Sequence, residues 1–202
     1  MLIFHASNLT KSFDRKIIFE NISFQLSSGD SLAVTGGNGT GKSTLIKVLS
    51  NTLSSASGEL VLQAGNSKIK KEDFYKHIGV VSPYLNFYEE FTAYEMLELT
   101  VRIRGIAQAD INGMLEKIGL YNRRNDLIRI FSSGMKQRLK FAFALIHHPE
   151  VLLLDEPASN LDKEGIDIVT EIINAHALNG IIVIATNSEY EKSLCKKEIN
   201  LN

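Results

Sequence analysis

Apolar residues along this chain fall into two patterns that predict β-strands. Three uninterrupted apolar runs are typical of parallel strands that are covered on both faces: Leu32–Thr35, Val151–Leu154 and Ile181–Ala185. Three further segments alternate apolar and polar residues or lie beside turns, and they predict an antiparallel edge sheet: Leu2–His5, Ile22–Leu26 and Glu59–Leu62. Another strand is predicted at Ile78–Val81. Two kinds of sheet are therefore expected.

Helical patterns alternate with the apolar runs. One helix is predicted to begin at Lys42, and others lie near Met135–His147 and Glu164–Leu178. Strands that alternate with helices along a chain are typical of an α/β fold in which helices cover a parallel sheet. We therefore predict a doubly wound α/β core.

The middle of the chain has a helical pattern without a strand signal. Between Thr92 and Leu120, apolar residues recur at helical spacing, most clearly at Ile111, Met114, Leu115 and Ile118. Gly105 and Gly119 are typical of helix ends. We expect a single domain over residues 1–202, with a core formed by residues 1–85 and 133–202 and an inserted helical subdomain at residues 86–132.

A glycine-rich loop between a predicted strand and a predicted helix carries the most specific motif. It fits G-x-x-x-x-G-K-[ST], the pattern of a phosphate-binding loop. The candidate nucleotide-binding residues are Gly36, Gly37, Asn38, Gly39, Thr40, Gly41, Lys42, Ser43 and Thr44. The glycines let backbone N–H groups point at phosphate oxygens, and the helix start adds its own N–H groups. Lys42 is predicted to reach the β- and γ-phosphates, and the Ser43 hydroxyl to ligate Mg²⁺.

Two acidic residues follow directly after a buried strand. Asp155 and Glu156 end the run Val151–Leu154, and the carboxyl end of a parallel strand faces the crevice where ligands bind. Asp155 is positioned to hold Mg²⁺, and Glu156 to polarise the attacking water as a general base. The fold class expected is α/β: a P-loop NTPase core of mostly parallel sheet flanked by helices, with an antiparallel β edge and an inserted α-helical subdomain.

Composition and charge narrow the possible partners. Apolar residues make up 44% and charged residues 22% of the chain, with a formal net charge of −1. This near-neutral charge argues against binding to nucleic acid through the overall field of the protein. The single cysteine, Cys195, cannot form an internal disulfide.

No apolar run approaches the roughly 20 residues needed to cross a bilayer. We therefore expect a cytoplasmic chain, in which any role at a membrane depends on a partner.

A second candidate phosphate-binding surface lies upstream of the acidic strand. The segment Phe131–Arg138 places small polar residues and a glycine before a predicted helix. Ser132 or Ser133 is a natural N-cap. The segment is interpreted either as a helix cap alone or as a second site at which free N–H groups contact phosphate.

With these motifs in order, the chain resembles the ATP-binding subunits of ABC transporters over essentially its whole length. Ser132, Ser133, Gly134 and Met135 resemble the signature of that family, with Phe131 at its first position, Ser133 in place of the first glycine and Met135 in place of the glutamine. Ser159–Asp162 resembles the D-loop, in which Asp162 organises the dimer interface. Phe13 occupies the place of the aromatic residue that stacks on adenine.

The resemblance implies a composite ATP site. Two subunits, a second copy or a sister cassette, would meet head to tail, so that Ser132 and Gly134 contact the γ-phosphate of the ATP bound to the other subunit. ATP and Mg²⁺ are the implied ligands. Closure of the pair on ATP would drive integral membrane subunits, which places the chain at the inner face of the cell membrane.

Two family positions differ in this sequence. Where a Q-loop glutamine is expected after Ile78–Val81, the chain has Ser82 and Pro83. Where a switch histidine is expected after Ile181–Ala185, it has Asn187, which can donate a hydrogen bond to the γ-phosphate but cannot carry a proton. Glu156, Lys42 and Asn187 are the candidate catalytic residues.

Three functions remain open. We favour slow but real hydrolysis in a transporter, since Lys42, Asp155, Glu156 and the signature serine are retained. The alternatives are a nucleotide-binding switch with very slow turnover and an ABC-type ATPase without a membrane partner.

Overall fold

The computed structural model describes residues 1–14 and 16–202. In chain order the elements are β1 (Leu2–Phe13), β2 (Lys16–Ser27), β3 (Ser31–Thr35), α1 (Lys42–Leu49), β4 (Ser57–Ala64), β5 (Ser67–Ile69), α2 (Phe74–His77), β6 (Ile78–Val81), α3 (Ala93–Arg104), α4 (Ile111–Lys117), α5 (Ser133–Leu145), β7 (Val151–Asp155), α6 (Lys163–Ala177), β8 (Ile181–Ala185), α7 (Glu189–Ser193) and β9 (Lys197–Asn200). Short 3₁₀ turns lie at Lys71–Asp73, Tyr121–Arg123 and Ile128–Ile130.

The parallel sheet has the order β6-β7-β8-β3-β9. Every residue of β7 and of β8 is buried, which is why these strands carry uninterrupted apolar runs. Because the strands are parallel, the ends of β3, β7 and β8 meet at one edge of the sheet. The chain therefore brings the loop after Thr35, the Asp155 carboxyl and the segment after Ala185 to the same edge.

The second sheet is antiparallel, as predicted, with the order β2-β1-β4-β5. β1 and β2 are each 12 residues long, which is longer than the strands predicted at Leu2–His5 and Ile22–Leu26. Irregularities in their pairing allow polar residues beyond the apolar segments to remain hydrogen-bonded between the two strands. β5 and β9 have no strand signal in the sequence. Both consist largely of exposed polar residues at sheet edges, where no burial imposes an apolar pattern.

The predicted helical segment is formed by α3 and α4. A capping box at Thr92 and Glu95 opens α3, and Gly105 ends it in the left-handed conformation with a φ of 65°. The buried residues of these helices share one apolar core with α5, α6 and one face of the parallel sheet. The opposite face packs on α1 and the antiparallel sheet, so Leu152 and Leu153 point into different cores.

The described helices are all too short or too polar to cross a membrane.

Candidate functional site

The glycine-rich loop connects β3 to α1, as the motif requires. Gly41 adopts a φ of 102°, and a Cβ there would lie 2.5 Å from Ile18 Cγ2, so only glycine fits. No side chain caps the start of α1. The first-turn N–H groups of a helix have no partner within the helix, so these groups are available to an anionic ligand.

Lys42 lies over this loop. Its Nζ donates to the carbonyl oxygens of Gly36 at 2.7 Å and Gly37 at 3.0 Å, and the residue is only 7% exposed. The Thr40 hydroxyl also donates to the Gly37 carbonyl, at 2.9 Å. The loop is thus already folded around the ammonium group, which is placed to exchange these carbonyls for phosphate oxygens.

The end of β7 supplies a buried carboxylate. Asp155 is 2% exposed, and its Oδ2 has no hydrogen-bond partner among the described residues. Burial raises the pKa of Asp155, and the neighbouring Ser43 hydroxyl and Lys42 ammonium oppose this effect. A partnerless carboxylate oxygen beside a hydroxyl is the oxygen-rich donor set that Mg²⁺ prefers, so Asp155 and Ser43 fit a bound magnesium ion.

Glu156 follows in a strained turn. Its φ is 50°, in the left-handed region, and its N–H donates to the Ala185 carbonyl at 2.9 Å. The side chain is partly buried and lines a cavity of about 700 Å³, together with Ser159, Thr186 and Asn187. The cavity is large enough to hold water beside the carboxylate.

The residue at the switch position contacts the phosphate-binding loop. Asn187 Nδ2 donates to Asn38 Oδ1 at 2.6 Å, across 149 residues of sequence. The segment after β8 is therefore tied directly to the loop. The turn after β6 is tied instead to α5, since Lys140 Nζ donates to the Pro83 carbonyl at 3.3 Å.

The signature residues lie at the start of α5. Ser132, rather than Ser133, is the N-cap, and its Oγ accepts from the Met135 N–H at 3.2 Å. A Cβ on Gly134 would lie 3.0 Å from the Asn160 carbonyl oxygen, so this helix start packs closely on the D-loop. Within the described chain, Ser132–Met135 form no hydrogen bond with the phosphate-binding loop, so the two candidate phosphate surfaces remain separate.

Asp162 and Phe13 lie at the ends of two other elements, α6 and β1. Asp162 is the N-cap of α6, with its Oδ1 accepting from the Gly165 N–H at 2.9 Å. Phe13 ends β1, is 47% exposed, and has Lys11 Nζ 4.7 Å from its ring centroid. An exposed ring of this kind can stack on a planar base.

Two buried polar residues that are not among the predicted site residues connect segments of the site by hydrogen bonds. Gln137 is 4% exposed, and its Nε2 donates to the Pro157 carbonyl at 2.9 Å. Glu191 is also 4% exposed, and it accepts from the Ala158 N–H at 2.7 Å and from the Thr186 hydroxyl. No local pattern distinguishes Glu191 from the exposed Glu189 two positions before it.

A phosphate-binding loop between strand and helix, with a buried carboxylate on a neighbouring parallel strand, defines a P-loop nucleotide-binding protein. The model of the ABC transporter family matches residues 19–159. The chain belongs to this family, as an ATP-binding subunit with a single cassette.

Several curated relatives align with most of this chain. The chain is 33% identical over 180 residues to the lantibiotic transport ATP-binding protein SrtF of Streptococcus pyogenes, covering 89% of this chain and 77% of that protein. It is 31% identical over 198 residues to the uncharacterized ABC transporter ATP-binding protein YybJ of Bacillus subtilis (strain 168), covering 96% and 90% of the two chains. It is 34% identical over 187 residues to the bacitracin transport ATP-binding protein BcrA of Bacillus licheniformis, covering 92% and 61%.

Solved structures share the fold. An ATP-binding subunit of an ABC transporter superposes with a TM-score of 0.86 at 23% identity, over 99% of this chain and 86% of that one. A dimeric ATP-binding cassette in a post-hydrolysis state with ADP and phosphate gives a TM-score of 0.85 at 20% identity, over 98% and 94%. The predicted fold class is thereby confirmed.

Proposed function

We propose that this ABC ATPase binds and hydrolyses ATP to energise a transporter, through nucleotide-driven closure of a dimer on separate membrane subunits. One observation carries the proposal. The loop that holds Lys42, the Asp155–Glu156 pair and Asn187 meet at a single edge of the parallel sheet. This arrangement gathers phosphate donors, an oxygen donor set for Mg²⁺ and a candidate base around one position.

The binding step follows from the donors of the loop. The first-turn N–H groups of α1 and the Lys42 ammonium would contact the phosphates of ATP, and Phe13 would stack on the adenine. Ser43 and Asp155 would hold Mg²⁺, which neutralises phosphate charge when bound.

The hydrolytic step depends on Glu156. Its carboxylate would accept a proton from water in the adjoining cavity while the water oxygen attacks the γ-phosphorus. The bond from the γ-phosphorus to the bridging oxygen breaks, and ADP leaves with inorganic phosphate as the second product. Asn187, already at the loop, would hydrogen-bond the γ-phosphate but cannot exchange a proton with it.

The separate position of the signature supports a composite site. Ser132–Met135 lie at the start of a 13-residue helix whose N–H groups suit an anion, but among the described residues they form no hydrogen bond with the loop of their own chain. In a head-to-tail pair, Ser132 and Gly134 of one subunit would complete the site of the other. The solved dimeric cassette of similar fold is compatible with such a pair.

The names of the relatives support a membrane partner. SrtF and BcrA are named for lantibiotic and bacitracin transport, and the described helices of this chain do not span a membrane. We therefore propose that the chain associates peripherally with integral membrane subunits at the inner face of the membrane. We further propose that residues 86–132 act as a helical subdomain on the core formed by residues 1–85 and 133–202.

The proposal is tested by phosphate release from the purified protein with ATP and Mg²⁺. We expect wild type to release phosphate slowly. Glu156→Gln should release it at least about 100-fold more slowly than wild type, since the loss of a general base typically costs 10²–10⁴-fold in rate. Asp167→Asn, which removes a carboxylate from the same cavity, is the matched control and should keep the rate. Equal rates for wild type and Glu156→Gln would refute the proposal.

A further inference from the structure

Glu191 is a buried carboxylate that no described cation neutralises. It lies on α7, is 4% exposed, and pairs with no lysine, arginine or histidine in the part of the chain that the structure describes. Burying an unpaired carboxylate is costly, so its hydrogen bonds must offset that cost. Burial raises the pKa of Glu191, and the bonds from Thr186 and Ala158 oppose the rise.

The two donors that Glu191 accepts from belong to different segments of the proposed site. The Ala158 N–H, at 2.7 Å, lies two residues after Glu156. The Thr186 hydroxyl lies one residue before Asn187. The carboxylate is therefore a direct bridge between the turn that carries the candidate base and the segment that carries the switch residue.

The bonds around this bridge fix both segments further. Thr186 Oγ1 accepts from the Ser188 N–H at 2.8 Å, so Asn187 lies between two residues of the same hydrogen-bond cluster. The Glu156 N–H donates to the Ala185 carbonyl at 2.9 Å, and the Ser159 N–H donates back to the Glu156 carbonyl at 3.1 Å. Each segment is thus held on both sides of its functional side chain.

We infer that Glu191 is a positioning residue, which fixes Glu156 and Asn187 relative to each other through Ala158 and Thr186. This inference rests on the proposed ATPase function of the site. Because Asn187 cannot exchange a proton, its effect on hydrolysis depends on where its amide is held relative to the γ-phosphate. The Glu191 bridge therefore fixes the distance between the Asn187 amide and the Glu156 carboxylate. Both donors need an acceptor, and the ionised carboxylate supplies two.

Hydrogen exchange tests the bridge without any turnover. In the nucleotide-free protein, Glu191→Met should speed amide exchange in both residues 158–160 and residues 186–188, because an apolar side chain of similar length leaves the Ala158 N–H and the Thr186 hydroxyl without their acceptor. Glu189→Met makes the same change at an exposed position of α7 and serves as the control. Faster exchange in both segments relative to the control supports the bridge, and unchanged exchange in either segment overturns it.

A double-mutant cycle tests the role in catalysis. Glu191→Met and Thr186→Val should each lower kcat about tenfold, as expected for the loss of a charge-assisted hydrogen bond, while the Kd for ATP stays within about twofold. The loss in the double variant should stay near tenfold and well below 100-fold, because both changes remove the same bond between Thr186 and Glu191. Thr186→Ser keeps the hydroxyl and should restore kcat to within about twofold of wild type.

The outcomes separate this inference from the function on which it rests. If Glu191→Met folds poorly, the Thr186→Val and Thr186→Ser pair decides the question alone. A lowered Tm with unchanged kcat, or additive losses in the double variant, would mean a purely structural role and overturn the inference. Failure of the proposed function appears differently, as equal phosphate release by wild type and Glu156→Gln, and the exchange experiment is read independently of that result.

Discussion

Ser132 has two separable roles in this account, and substitutions can distinguish them. In its own chain it caps α5, with its Oγ accepting from the Met135 N–H at 3.2 Å. In the proposed dimer it contacts the γ-phosphate bound to the partner. Ser132→Ala removes both the cap and the phosphate contact. Ser132→Asp keeps the cap, because aspartate and serine are about equally good N-caps, but places a negative charge against the phosphates.

The two variants therefore separate the two roles: Ser132→Ala should lower stability, whereas Ser132→Asp should weaken dimerisation without a loss of stability. Loss of the exposed cap in Ser132→Ala should cost about 1 kcal/mol, which lowers the Tm by about 2–4 °C for a protein of this size. Ser132→Asp should keep the Tm within about 1 °C. A like-charge pair at about 4 Å and an effective dielectric constant of 20 costs about 4 kcal/mol in each of the two sites, so ATP-driven dimerisation of Ser132→Asp should weaken by at least about 1,000-fold.

Thermal unfolding without nucleotide measures the Tm of each variant. Light scattering with ATP measures dimerisation, with Glu156→Gln added to every variant so that the nucleotide is not hydrolysed. Normal ATP-dependent dimerisation of Ser132→Asp would refute the assignment of Ser132 to a site completed by the partner. An unchanged Tm in Ser132→Ala would refute the capping role.

Two further predictions concern the loop and the pH dependence of folding. Gly41→Ala should abolish binding of a fluorescent ATP analogue and lower the Tm, because its φ of 102° and the 2.5 Å approach to Ile18 exclude a Cβ; retained binding would contradict the loop geometry. Burial lowers the pKa of His147 to about 4, so below pH 6.5 the unfolded chain takes up a proton that the folded chain does not. Urea unfolding should therefore show wild type losing more stability than His147→Gln between pH 7 and pH 4.5, and equal losses would contradict this.

The local sequence pattern is sufficient to predict those elements whose burial or chemistry depends only on residues close together in the chain. The runs Val151–Leu154 and Ile181–Ala185 predict two parallel strands correctly because both faces of each strand are covered. The loop that ends at Lys42 is equally clear, since its glycines and its lysine satisfy a fixed local geometry. Local sequence therefore accounts for the phosphate-binding loop and for the strand that carries Asp155.

Features set by distant contacts could not be predicted. The bond from Asn187 to Asn38 spans 149 residues, and an exposed asparagine carries no pattern that indicates its partner. Glu191 is distinguished from Glu189 only by burial that α7 acquires when it packs on the parallel sheet. The edge strand Lys197–Asn200 has no apolar face to mark it, because pairing with β3 and not side-chain burial holds it in place.

The central claim, an ATP site built from two subunits, is tested most directly by mixing two inactive variants. Lys42→Ala removes the ammonium of one half-site, and Ser132→Asp blocks the other half-site. A head-to-tail dimer of one copy of each contains one site with both defects and one site with neither. Since a mixed dimer has one intact site of two, the mixture should release phosphate well above either variant alone and at most about half as fast as wild type. Activity no greater than that of the separate variants would contradict a shared site.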